Sequence, residues 1–144
     1  MRETTPKDAL RVVGKNCDRL DTIEKITGMA IYTGDMILPG MLHAKVKRSP
    51  HARAGIKKLD VSKARKLPGV HAVLTGADLD YRLGLYLVDK YILAKGVVRH
   101  YGEAVAAVAA ETPQIAQKAV ELIEVDYEVE EAVLDPVKAM DKDA

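Results

Sequence analysis

Residues 104–110, AVAAVAA, are seven small or branched apolar positions without a charge, the composition of a strand covered on both faces. Thr112-Pro113 then offers a hydroxyl to cap free N–H groups and a ring preset for the first helical position. Ile115, Ala116, Ala119, Val120 and Ile123 follow at helical spacing against Gln114, Gln117, Lys118 and Glu121, which predicts a helix with one apolar stripe. Beyond it, Val125, Tyr127 and Val129 alternate with Glu124, Asp126 and Glu128. That alternation gives a strand with one wet face and completes a strand-helix-strand unit. If the two strands pair in parallel, the crossover between them is right-handed.

The same order appears earlier in the chain. Leu42, Ala44 and Val46 alternate with His43, Lys45 and Lys47, the period of a strand with one face in water. Ala54, Ile56 and Leu59 with Lys57 and Lys58 predict a second strand. Asp60 or Ser62 caps a short helix through Leu67, Pro68-Gly69 stops it, and residues 70–74 form the next strand. Residues 29–32 read as a short strand and Leu38-Pro39-Gly40 as a turn, whereas residues 11–28 show no regular structure and fit an extended arm. Residues 81–95 carry Tyr81, Leu83, Leu85, Tyr86, Leu87, Tyr91, Ile92 and Leu93 but keep neither period, so they predict an irregular excursion packed on the core. The division expected is a flexible lead-in over residues 1–12, one domain over residues 13–140, and a charged tail over residues 141–144.

Composition narrows the picture. A chain of 144 residues fits one domain, and with no Phe or Trp its core must be aliphatic, the six Tyr supplying all aromatic surface. Twenty-two basic and 21 acidic residues leave a net charge of +1, so no global field favours nucleic acid or an anionic membrane. The single Cys17 rules out an internal disulfide and fits a reducing compartment. Without a spanning-length apolar stretch or a signal-peptide core near Met1, the expectation is a cytoplasmic chain with no nucleic-acid or membrane partner.

Candidate chemistry is sparse. His43, His51, His71 and His100 lie far apart, none with a partner at metal-ligand spacing. Cys17 lacks a neighbour pattern that would lower its pKa, and an inert thiol is the simpler reading. Gly28, Gly34 and Gly40 mark turns rather than a phosphate-cradling loop. Lys45, Lys47, Arg48, Arg53, Lys57 and Lys58 would form one basic patch if their two strands were adjacent, able to meet an anionic ligand, or else form a solvated sheet face. Glu121, Glu124, Asp126, Glu128, Glu130 and Glu131 have the matching acidic readings. Glu103, at the mouth of the uncharged strand, is the nearest approach to an acid-base residue, with a backbone-bonded strand entry as the simpler role. The residues alone therefore predict an α+β domain whose catalytic, cofactor-binding and metal residues are none.

The wording of the chain is more specific. Val13-Gly14-Lys15, Arg19-Leu20-Asp21, Tyr32-Thr33-Gly34-Asp35, Leu38-Pro39-Gly40-Met41-Leu42-His43, Arg48-Ser49-Pro50-His51-Ala52, Leu67-Pro68-Gly69-Val70, Tyr101-Gly102-Glu103-Ala104 and Val125-Asp126-Tyr127-Glu128 occur in this order. Together they resemble the start of the large subunit of molybdenum hydroxylases, the family of xanthine dehydrogenase, aldehyde oxidoreductase, carbon monoxide dehydrogenase and 4-hydroxybenzoyl-CoA reductase. The resemblance implies an α/β hammerhead domain, an α+β fold expected here as a mixed sheet with the two strand-helix-strand units. It also implies that molybdopterin, iron–sulfur clusters and FAD belong to other domains or subunits, which become the partners, and that this chain scaffolds and docks without catalysing, with the apolar residues of 81–93 expected to leave an exposed patch for those missing domains. One departure is Gly102-Glu103-Ala104 where the family commonly has Gly-Glu-Pro, which frees the N–H of Ala104 for a ladder bond. The alternative left by the residues is a stand-alone module using the basic strand pair for an anionic ligand; a small enzyme centred on Glu103 is the third.

Overall fold

An uncharged strand needs neighbours on both edges, and residues 104–110 have them. The computed structural model describes residues 12–79 and 81–142, and the chain divides into two compact units, residues 1–39 and 40–144. The expected lead-in therefore lies, apart from Val12, outside the described residues, as do the last two positions of the tail.

In the first unit the described residues hold a five-residue helix, α1 (Thr22–Ile26), and a 3-10 turn, Thr33–Asp35. The helix replaces part of the extended arm expected there. Local charge explains it: the Asp21 carboxylate, just ahead of α1, holds Lys25 one turn on and Arg19 at 2.6 Å. Those two cations, Lys25 foremost, keep Asp21 below its ordinary value. Alpha-helix α1 buries none of its own residues. Residues 29–32 do not form the expected strand: they join no ladder, and the Ala30 N–H bonds back to the Glu24 carbonyl at 2.9 Å.

In the second unit the order is β1 (His43–Arg48), β2 (Ala54–Asp60), α2 (Ser62–Arg65), β3 (Val70–Thr75), β4 (Arg82–Leu83), β5 (Lys90–Tyr91), β6 (Val97–Val98), β7 (Ala104–Ala110), α3 (Pro113–Glu121) and β8 (Glu124–Val129). A 3-10 turn, Lys138–Met140, follows where a final turn is expected. Both strand-helix-strand units, β2-α2-β3 and β7-α3-β8, are present, and the α+β class holds. The pairing differs from a single mixed sheet. One sheet has the order β1-β7-β3 and another β6-β2-β8, with β4 and β5 as a separate ribbon, and every ladder is antiparallel. Neither unit pairs its own two strands. The reason is edge occupancy: β1 and β3 take both edges of β7, so β8 has none left there and pairs with β2 instead.

The helices behave as their sequences require. Thr112 Oγ1 accepts the Ile115 N–H at 3.2 Å and Pro113 opens α3. Helix α2 is a single turn, shorter than the expected run through Leu67; Asp60 accepts both the N–H and the hydroxyl of Ser62 ahead of it. Gly69 then reverses the chain with φ of +83°, a backbone conformation that calls for glycine. Beneath the helices, Ala64, Val73, Ala106, Val108, Ala119, Val120 and Ile123 form one buried cluster. Ala54, Ala94, Val98 and Val105 form a second, and Leu59 and Val125 pack against both. The core is thus aliphatic, and small residues let α3 sit close on β7.

Candidate functional site

The predicted chemistry residues do not converge. His43 lies on β1, His71 Nε2 faces Glu111 Oε1 at 3.2 Å, and His100 Nδ1 lies 3.1 Å from the Tyr101 carbonyl oxygen. His51 stands edge-on to Tyr127, ring centroids 5.0 Å apart. Cys17 is exposed in the first unit, and among the described residues no three His, Cys, Asp or Glu gather as a metal set. Glu103 takes the simpler role: its carboxylate accepts the Arg99 N–H and closes the loop that leads into β7. Ala104 sits in the ladder opposite Arg48.

The basic strand pair does not form. Strands β1 and β2 belong to different sheets, because β1 pairs only with β7 and β2 pairs with β6 and β8. The acidic set of β8 is instead brought against the basic set of β2. Arg53 Nε meets Glu130 Oε2 at 2.7 Å, Lys57 Nζ meets Glu128 Oε1 at 3.2 Å, Lys63 meets Glu124, and Lys58 stands opposite Asp126. Of the two patches that look polarised in sequence, Arg53, Lys57 and Lys58 thus meet acids along the β2/β8 pairing, whereas Lys45, Lys47 and Arg48 lie in the other sheet. These pairs are exposed, worth about 0–1 kcal/mol each, so they fix register more than stability.

Strand β1 has the expected period but faces the other way. Residues opposed across a ladder share a face. Lys45 stands opposite Val108 and Lys47 opposite Ala106, both in the cluster beneath α3, and Lys47 Nζ donates to the Val120 carbonyl at 3.4 Å. The lysines therefore lie on the helix side, their stems along it and their heads at its rim. Ala44 and Val46 occupy the face away from the helix.

One further feature escaped the sequence, and a second lies where an exposed apolar patch is expected. Ser49 is buried, its Oγ accepting the His51 N–H at 3.0 Å and donating to the His51 carbonyl at 3.1 Å. Beside it the Tyr127 hydroxyl is buried without a hydrogen-bond partner, and burial pushes the phenol above its ordinary value, the Ser49 hydroxyl opposing. The second feature is the excursion after β3. It is ordered as the β4/β5 ribbon, and Leu93 and Ala94 beyond it are buried as expected. Its tip is not packed: Leu85 and Tyr86 are 97% and 96% exposed, and Leu87 and Val88 are also exposed. A Cβ on Gly84 would overlap the Leu87 carbonyl, so the tight ribbon turn admits only glycine.

A small two-sheet domain without a convergent site, carrying an exposed apolar arm, has close counterparts. The family model for the a/b hammerhead domain of aldehyde oxidase and xanthine dehydrogenase matches residues 27–131. This chain belongs to that hammerhead family. The hammerhead matches the nicotinate dehydrogenase large molybdopterin subunit of Eubacterium barkeri at 41% identity, over 93% of this chain and 32% of that protein. It matches the carbon monoxide dehydrogenase large chain of Afipia carboxidovorans at 41%, over 98% of this chain and 18% of that one. Among solved structures, the CO dehydrogenase from Oligotropha carboxidovorans superposes with a TM-score of 0.84 at 42% identity, over 91% of this chain and 17% of that one. The aldehyde oxidoreductase from Desulfovibrio gigas gives 0.80 at 30%, over 88% and 15%. The hammerhead chain thus spans a third or less of the curated relatives it matches. Among its described residues no helix is long and apolar enough to cross a membrane.

Proposed function

We propose that the chain is a scaffolding and docking domain of a cytoplasmic molybdenum hydroxylase and carries no catalytic, cofactor-binding or metal residue of its own. The reading is carried by the ribbon tip, where Leu85, Tyr86, Leu87 and Val88 stand in solvent in succession. A contiguous apolar segment of this kind marks an interaction site. It is supported by the relatives, in which the matched segment is a minor part of a longer chain. The assembly it serves oxidises or hydroxylates an aldehyde, an N-heterocycle or an aryl thioester with oxygen from water. In such an assembly molybdopterin supplies the oxidising centre, and iron–sulfur clusters and flavin carry electrons away. The residues of this chain do not fit those groups. Iron–sulfur clusters take several thiolates where this chain has one cysteine, and no glycine-rich loop joins a strand to a helix N-terminus. The cofactors therefore belong to the partners: the molybdenum-binding portion of the large subunit and the iron–sulfur and flavin subunits.

The test is affinity capture of the chain from its native host, with intact mass, molybdenum and iron measured on the same fraction. Both metals should accompany the chain with larger polypeptides. Changing Leu85→Asp together with Leu87→Asp should remove them while the melting temperature stays put. Capture of the chain with neither metal nor a larger partner refutes the proposal. The anionic-ligand alternative is not favoured, since β1 and β2 lie in separate sheets and the lysines of β2 face acids on β8.

A further inference from the structure

Among the described residues of the second unit, the helix face of the β1-β7-β3 sheet is covered along its length and the other face only at its Val105 end. On the helix side, the rows across the sheet are His43, Ala110 and Val70; Lys45, Val108 and Val73; and Lys47, Ala106 and Thr75. On the other side two rows run Ala44, Ala109, Ala72 and Val46, Ala107, Leu74. Neither of those rows contains a polar side chain. Ala44 and Ala72 are exposed, Leu74 is 42% exposed, and Val46, Ala107 and Ala109 are half-buried.

We infer that this open face, built by Ala44, Val46, Ala72, Leu74, Ala107 and Ala109, is the seat of an uncharged, aliphatic surface of the remainder of the molybdenum-binding large subunit. The seat presupposes that the chain serves such a subunit, and adds where the contact falls.

Four observations point to it. Strand β7 is uncharged on both faces, a pattern that belongs to strands covered on both sides. The domain covers Val105 with Ala54, Ala94 and Val98, but leaves Ala107 and Ala109 without a comparable layer. Strand β1 turns its lysines toward the helix and its Ala44 and Val46 outward, the reverse of a sheet face made for water. Finally, four alanines make a flat floor with Val46 and Leu74 as its only relief. A helix or sheet bearing larger aliphatic side chains can approach such a floor closely, whereas a charged partner would meet no side-chain donor or acceptor.

Size selects the occupant. Two rows across three strands cover on the order of 200 Å², well short of the roughly 800 Å² per partner of a stable association between separate molecules. A second copy held by this face alone would not persist. The relatives carry the matched segment on the same chain as the rest of the subunit. A partner already held at the ribbon tip, Leu85 to Val88, meets this face at an effective concentration of about millimolar, so a small apolar seat is enough.

The experiment captures the full chain from its native host and reads molybdenum per chain, comparing wild type with Ala44→Arg plus Ala72→Arg, two exposed positions on the edge strands. Molybdenum should fall at least tenfold with circular dichroism and melting unchanged. Retention at the wild-type level overturns the inference. Should the arginines unfold the chain, Ala44→Ser plus Leu74→Gln takes their place, with a severalfold loss expected and full retention overturning. A wild-type dimer abolished by Ala72→Arg would make a second copy the occupant, and also overturns it. Absence of molybdenum from the wild type would remove the domain reading itself and the seat with it, an outcome distinct from retention by the variants.

Discussion

Tyr127→Phe deletes a buried hydroxyl without a partner and leaves the ring against His51. A polar group stranded away from water costs about 1–3 kcal/mol. The edge-on ring contact, worth about 0.5–1.5 kcal/mol, needs only the ring and survives the change. The variant should therefore be more stable by about 1 kcal/mol, a rise of about 3–5 °C in melting temperature for a chain of this length. Urea unfolding followed by far-ultraviolet circular dichroism reads the effect as a higher midpoint at unchanged slope. The alkaline limb adds a second readout. The folded-state value of the phenol is raised, so its neutral form favours the fold below the unfolded value near 10 and that contribution is lost as pH rises through the folded value. Wild type should lose stability above pH 10 more steeply than the variant. A loss of 1 kcal/mol or more at neutral pH refutes the reasoning and means that the hydroxyl bonds Ser49, which a double-mutant cycle with Ser49→Ala would then measure.

Other outcomes follow from the same structure. Ile123→Ala, at a position 2% exposed between α3 and β8, should cost about 2–5 kcal/mol in chemical unfolding through lost burial and an unfilled cavity. Asp78 is held below its ordinary value by the hydroxyl and N–H of Thr75, so its contribution is present above about pH 4 and lost as pH falls through the folded value. Asp78→Asn should accordingly be less stable than wild type at pH 7, with the gap in melting temperature narrowing as pH falls below about 4. Gly84→Ala should open the ribbon turn, seen as faster proteolysis within residues 81–91, while melting of the two-sheet core is unchanged. Lys57→Ala, at an exposed pair with Glu128, should change stability by less than about 1 kcal/mol at low salt and by nothing measurable at high salt.

Much of this fold was legible in short-range pattern. The cap at Thr112, the stripe of α3 and the stop at Pro68-Gly69 depend on residues within a turn of one another, and they stand where the pattern puts them. Partner choice between strands was not legible, because it depends on which edges are already filled. The alternation in β1 gave the period but not the side, since a lysine stem can lie along a helix as well as reach for water. The basic and acidic sets were visible as sets, yet only the β2/β8 register shows that they face each other. Family membership was carried by the ordered short phrases of the chain, which hold information that hydrophobic period does not. Helix α1 was missed because nothing in it is buried, leaving no stripe to detect.

The crossed connectivity of the two strand-helix-strand units has a consequence for how the molecule comes into being. Strand β2 finds its long partner only in β8, the last strand of the chain, and β3 finds its own only in β7. A nascent chain emerging from its N-terminus therefore carries β1, β2 and β3 with no long ladder to join until the second unit arrives. Loop closure must come before the contacts that reward it, which places folding on the slow side for a domain of this size. Each half leaves strands that the other pairs, so separately produced halves should meet as complementary fragments, each completing both sheets of the other.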